Sequence, residues 1–250
     1  MSGHNKWSTI KRKKGAADAK RSKMFSKIVK EIQVAIKEGS SSDESSNPRL
    51  RVALQNAKGV NMPKATIEKA ISKAEAGTEN WNEMTFEGYG PDGVAIFVEC
   101  LSNNNNRTVS NIRAIFNKYN GSLGTNGSLA FIFDRKGVFT IPKSEISNFE
   151  EVELELIDGG AEDIEEIDDT IIITTDFEDF GNMQKKLEEL KISPKNSELV
   201  RVANNLKEVT AHTAEKVLKI IDAFEDDEDV QNVFHNMELT EEIMKALEDK

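Results

Sequence analysis

The sequence predicts an α+β protein: an N-terminal three-helix domain, then two α/β domains of ferredoxin-like, βαββαβ type, one inserted in the other. Three observations predict this. Apolar residues recur at helical spacing as far as Ala74, and at strand spacing between amphipathic helices from Val94 onward. Charge changes sign at the same place: residues 1–73 carry 13 Lys and 4 Arg against 6 acids, and residues 74–250 carry 16 cations against 38 acids. A chain of 250 residues is also long enough for two or three cores.

Residues 1–21 are polar and cation-dense, and read as a flexible or loosely helical arm. From Ser22, Phe25, Ile28, Val29, Ile32 and Ile36 define the buried face of a first helix, stopped by Gly39 and the polar stretch 40–47. Pro48 suits the first turn of a second helix ending near Gly59. A third follows Met62-Pro63-Lys64, with Ile67, Ala70, Ile71 and Ala74 facing inward. Gly77 to Glu83 reads as a linker, so the first domain is expected over 1–79.

Val94 to Leu101 is a compact apolar run, expected to be a buried strand. Thr108 to Tyr119 is an amphipathic helix, and Leu129 to Phe133 is expected to be a second strand completing a βαβ unit. A strand at 137–141, a helix at 145–157, strands at 161–167 and 170–175, a helix at 178–190 and a strand at 198–203 give the split β-α-β-β-α-β order. Val209, a helix at 213–224 and a strand at Val230 to Phe234 supply a last β-α-β piece, which pairs with 94–133. Residues 80–134 plus 205–250 then form one domain, and 135–204 is the insertion.

Several classes are disfavoured. No apolar run reaches the roughly 18–20 residues that span a bilayer, and the first residues lack the apolar stretch of a secretory signal. The single Cys100 and the scattered His4, His212 and His235 suit neither a disulfide scaffold nor a zinc site. A cytoplasmic protein without cofactor or metal is expected.

Gly88-Tyr89-Gly90-Pro91-Asp92-Gly93 matches a dinucleotide-binding pattern, but a strand follows it where a helix N-terminus is needed, so it reads as a turn. The acidic stretches Asp226 to Asp229 and Asp176 to Asp179 lack calcium-loop spacing and read as solvated surface. No nucleophile constellation stands out, and His212 and His235 read as surface or capping residues.

The strongest signal is cationic. Between Lys6 and Lys37 lie 11 cations against Asp18 and Glu31. Lysines and arginines contact phosphates without fixed geometry, which suits an arm, and a tryptophan among them can stack on an unpaired base or pack on the first helix. The candidate nucleic-acid contacts are Lys6, Trp7, Lys11, Arg12, Lys13, Lys14, Lys20, Arg21, Lys23, Lys27 and Lys30. Arg107 joins them, because the loop Ser102 to Thr108 presents side chains at a helix start; an Asn-rich turn with a helix cap is the competing explanation.

Gly3-His4-Asn5-Lys6-Trp7-Ser8-Thr9-Ile10-Lys11, Asp18-Ala19-Lys20-Arg21, Asn47-Pro48-Arg49-Leu50-Arg51, Asn61-Met62-Pro63-Lys64, Glu87-Gly88-Tyr89-Gly90-Pro91, Asn106-Arg107-Thr108 and Gly121-Ser122-Leu123-Gly124 together resemble the YebC/PmpR family. The resemblance runs from residue 2 to the C-terminus and is most specific in the N-terminal half. It implies one helical and two α/β domains and no catalysis. It also implies either a DNA-binding transcriptional regulator or a translation factor that relieves ribosomal stalling on proline-rich nascent chains; the related mitochondrial protein activates translation of a cytochrome oxidase subunit. The family's loop before Arg107 often carries Asp and a further Arg where this chain has Asn103 to Asn106, which weakens a basic contact there.

An arm of lysines with one tryptophan and no helix-turn-helix signature favours ribosomal RNA, and with it the ribosome as partner; DNA is the alternative target. An enzyme with its site between the α/β domains is a distant third reading. No small-molecule substrate or membrane partner is expected.

Overall fold

The computed structural model describes residues 17–77, 80–146 and 148–248. The chain divides into two compact units: one comprises Met1–Lys23, Asn80–Asp134 and Val202–Lys250, the other Met24–Glu79 and Arg135–Arg201.

In the second unit, α1 (Ala17–Gly39, entering at Met24), α2 (Pro48–Gly59) and α3 (Lys64–Glu75) form the helical head. Their core is small: Ile32, Ala35 and Ile36 of α1 meet Leu50 and Ala53 of α2 and Ala70 of α3. Asn47 joins the first two helices. Its Oδ1 caps α2 by accepting from the Leu50 N–H at 3.0 Å, and its Nδ2 donates to the carbonyls of Ala35 (2.8 Å) and Ser41 (2.9 Å). A Cβ on Gly39 would lie 2.3 Å from the Asn47 Nδ2, so the glycine makes room for this clasp.

The same unit holds a four-stranded sheet built from β4 (Phe133–Pro142), β5 (Ala161–Ile167), β6 (Thr170–Asp176) and β7 (Asn196–Ala203), in the order β5-β6-β4-β7. Between the strands run α5 (Phe149–Asp158) and α6 (Phe180–Glu189), which cover Phe139, Ile141, Ile171 and Ile173 with Leu156, Met183 and Leu187. This is the expected ferredoxin-like order, although the first of these helices starts at Phe149, after a separate 3-10 turn at Lys143–Glu145. Asn56 of α2 fastens the head to β7 like an extra strand residue: it donates to the Ser197 carbonyl and accepts from the Ser197 N–H, both at 2.8 Å.

The first unit contains β1 (Asn82–Tyr89), β2 (Ala95–Ser102), β3 (Ser122–Leu123) and β8 (Val230–His235), in the order β3-β1-β2-β8, with antiparallel neighbours. Helices α4 (Asn105–Lys118), α7 (Ala211–Asp226) and α8 (Glu241–Glu248) complete it. Strand β2 is buried on both faces, which explains its unbroken apolar run. Ile96, Val98 and Cys100 meet Ile112 and Phe116 of α4 and the buried side of α7, while Ala95 and Phe97 meet Leu129, Ile132 and Phe133.

Three expectations for this unit are corrected, those for the linker, for a strand at 129–133 and for a strand at Val209, while the glycine motif is a turn as expected. The supposed linker already contains the start of β1, and the dinucleotide-like glycines sit in the β1–β2 hairpin. There Gly88 is required by close approach, since a Cβ would lie 2.5 Å from the Ser122 carbonyl oxygen and 2.6 Å from the Phe116 ring. Leu129 to Ile132 is a turn and not a strand; the strand that closes the expected βαβ unit after α4 is instead the two-residue β3, parallel to β2 with β1 between them. The cause of the turn is Glu87, buried in β1, whose carboxylate accepts from the N–H groups of Gly127 (2.7 Å) and Leu129 (2.6 Å), donors a strand would have spent on a neighbour. Val209 belongs to no strand but precedes the α7 cap Thr210, and α8 was not anticipated.

Candidate nucleic-acid interface

Lys6, Trp7, Lys11, Arg12, Lys13 and Lys14 lie outside the described residues. The remaining candidates divide into two groups. Lys20, Arg21, Lys23, Lys27 and Lys30 all belong to α1, which extends helically into the segment read as an arm. Lys23, Lys27 and Lys30 follow an i, i+4, i+7 spacing, which places them on one side of the helix over about 10 Å. Arg21 and Lys23 are exposed; Lys27 and Lys30 are half-buried. Lys23 makes an ion pair with Asp226, both partners being largely in solvent, and such a pair is easily exchanged for a phosphate.

Arg107 belongs elsewhere. Asn104 caps α4 by accepting from the Arg107 N–H at 3.1 Å, so the Asn-rich loop is a helix cap. The guanidinium forks onto Asp229, with Nη2 2.8 Å from Oδ1 and Nε 3.1 Å from Oδ2. Thr108 Oγ1 adds a third donor at 2.9 Å. The Asp229 side chain is 3% exposed, and its hydrogen bonds and charge hold the Arg107 guanidinium above its ordinary basicity. Arg107 therefore ties the start of α4 to the chain entering β8. The run Asp226 to Asp229 is accordingly more than solvated surface: Asp229 is buried, and Asp227 accepts from Asn111 Nδ2 at 2.9 Å and from the Asp229 N–H at 2.9 Å. His235, expected near the surface, is buried at the end of β8, whereas His212 is exposed in the first turn of α7.

Two arginines in the head are also architectural. Arg49 pairs with Glu31 at 3.1 Å and with Glu38. Arg51 donates to the carbonyls of Glu44 (3.0 Å) and Ser45 (2.9 Å) and faces Glu188 of the same unit. Lys64, Lys69 and Lys73 of α3 are exposed as well, at a lower density than the cations between Lys6 and Lys37. Among the described residues no group of His, Cys, Asp and Glu is arranged to hold a metal ion, and no helix is long and apolar enough to cross a membrane.

A cationic helical head joined to two antiparallel α/β sheets defines a modular α+β protein whose basic charge gathers at one end of the chain. Comparison with known proteins places it more closely. Residues 5–77 match the model of the TACO1/YebC protein N-terminal domain, and residues 81–237 match that of the TACO1/YebC second and third domain. A probable transcriptional regulatory protein of Geotalea uraniireducens is 46% identical over 99% of this chain and 100% of its own. One of the same description from Amoebophilus asiaticus is 47% identical over 95% of this chain and 98% of its own. The crystal structure of a conserved hypothetical protein from Aquifex aeolicus superposes with a TM-score of 0.81 at 38% identity, covering 92% of this chain and 96% of that one. The chain belongs to the TACO1/YebC family, as its sequence motifs had indicated.

Proposed function

We propose that the protein is a non-catalytic, nucleic-acid-binding regulator of gene expression that engages its target through the basic arm and the lysine row of α1. The observation that carries this reading is the concentration of 11 cations between Lys6 and Lys37 in a chain whose net charge is -11. The relatives' description as probable transcriptional regulatory proteins supports DNA as the target and transcription as the process, and supports regulation over catalysis. Lysine contacts of this kind read phosphate, not sequence, so they supply affinity and a steep salt dependence.

Trp7 among the lysines favours a second reading, binding of unpaired RNA bases at the ribosome, because an aromatic ring stacks on a base that is not already in a duplex. Crosslinking and sequencing of bound nucleic acid from cells, with full-length protein beside a variant lacking residues 1–21, separates the two. Discrete promoter DNA lost on truncation supports transcriptional regulation. Ribosomal RNA lost on truncation supports the translation reading, and unchanged crosslinks contradict both.

A further inference from the structure

Residues 144–184 contain 15 Asp and Glu and no Lys or Arg, a run as one-sided as the basic arm and opposite in sign. Within it lies α5. Its Leu156 is fully buried in the sheet core, with Phe149 and Val152 packed around it, so this face of the helix is used. The outward face is unusual. Leu154 is 69% exposed and Ile157 52%, two of only five large apolar side chains so exposed among the described residues. Glu150, Glu153, Leu154 and Ile157 follow an i, i+3, i+4, i+7 spacing and share that face, with Glu151 and Asp158 on its flank, all exposed. Helix propensity does not require Leu and Ile there, since any exposed position of α5 accepts Glu or Lys at least as well.

We propose that this face of α5 is a docking surface for a Lys/Arg-rich protein segment that seats apolar side chains on Leu154 and Ile157. Charge selects the occupant. A nucleic acid is repelled by Glu150, Glu151, Glu153 and Asp158, and a second copy of this chain docked through the same face would bring the same carboxylates against them. A cationic segment is attracted by all four, and the apolar pair gives it a register that charge alone lacks. The surface is independent of the nucleic-acid reading, and it adds a second contact of opposite sign to a polyanion-binding head. A partner assembly containing both nucleic acid and basic protein would meet both.

The test is fluorescence anisotropy on the full chain with two labelled peptides of about four helical turns. One places Leu at i, i+3 and i+7 among lysines; the other has the same charge with the leucines replaced by Gln. The amphipathic peptide is expected to bind at least tenfold tighter. Leu154→Gln with Ile157→Gln is expected to remove that advantage and leave the Gln-substituted peptide's affinity unchanged. Both residues are solvent-exposed, so the double variant folds, which circular dichroism verifies. Glu150→Lys with Glu153→Lys is expected to weaken both peptides. Equal affinity for the two peptides, or indifference to the Leu154 and Ile157 changes, overturns the proposal. So does concentration-dependent self-association, seen by sedimentation velocity, that the double variant abolishes; that result would assign the face to a second copy.

Discussion

The cations of α1 and Arg107 at the start of α4 carry the same charge and sit in different surroundings. Arg107 is held by a carboxylate 3% exposed and by the cap of its own helix, whereas Lys23 reaches only an aspartate in solvent. Geometry separates the two roles. A planar guanidinium fits a buried carboxylate in two places at once, so arginine fixes architecture here at Arg107, Arg49 and Arg51. Lysine, a point charge on a flexible stem, suits phosphates whose positions the protein does not dictate. Charge counted along the sequence cannot distinguish the two uses.

Substitutions should pull these roles apart. The largest effect on stability is expected from Arg107→Ala, which leaves Asp229 buried without its counter-charge and costs about 3 kcal/mol, measured as a shift of the urea midpoint. The affinity of the folded protein for nucleic acid should stay unchanged; a large loss of affinity at full stability would move Arg107 into the binding group. The converse variant, Lys23→Glu with Lys27→Glu and Lys30→Glu, should weaken binding to every sequence tested and flatten the log–log salt dependence by about one unit per lysine lost.

Smaller effects sharpen the same division. Glu87→Gln keeps the shape but loses the carboxylate that holds the Gly127 and Leu129 N–H groups, and should cost about 2 kcal/mol. Hydrogen exchange at those two amides should accelerate more than exchange in β1 itself. Asn47→Ala removes the α2 cap and leaves the Leu50 N–H without its acceptor, for about 1–2 kcal/mol. The weakest effect concerns Asp43. The Ser45 hydroxyl and N–H, at 2.7 and 2.9 Å, hold its carboxyl below the usual value. A lowered carboxylate pKa contributes stability that is present above the unfolded value and lost as pH falls through the folded one. Asp43→Asn should therefore flatten the stability profile only below about pH 4, in acid titrations followed by circular dichroism.

What was legible in the sequence follows the same physical line. The three head helices and the β-α-β-β-α-β order could be read because each element buries a continuous face of its own residues at helical or strand spacing. Pro48 in a first turn and Gly39 at the end of a last one marked two of the ends. Strand β1 was missed because only Met84, Phe86 and the terminal Tyr89 interrupt its polar residues, and its partner β2 supplies most of the apolar surface. The 129–132 turn looked like a strand because Leu129 and Ile132 are buried. What prevents pairing is a carboxylate some 40 positions away, which no local pattern contains. The acidic run Asp226 to Asp229 failed for the same reason, its buried member being explained by an arginine 122 positions earlier. Within the candidate interface, the spacing of Lys23, Lys27 and Lys30 could be read in the sequence, because the helix expected from Ser22 contains all three; what no local pattern marked was the extension of α1 back through Lys20 and Arg21.

The most direct test of the central claim is the salt dependence of binding to duplex DNA and to single-stranded RNA, for full-length protein and for the variant Lys11→Glu, Arg12→Glu, Lys13→Glu, Lys14→Glu. A polyanion contact through the head predicts a steep decline of affinity with salt for the unmodified protein. It also predicts a slope shallower by about four units in the variant, with equal losses across sequences. An unchanged slope, or a loss confined to a single DNA sequence, would contradict it.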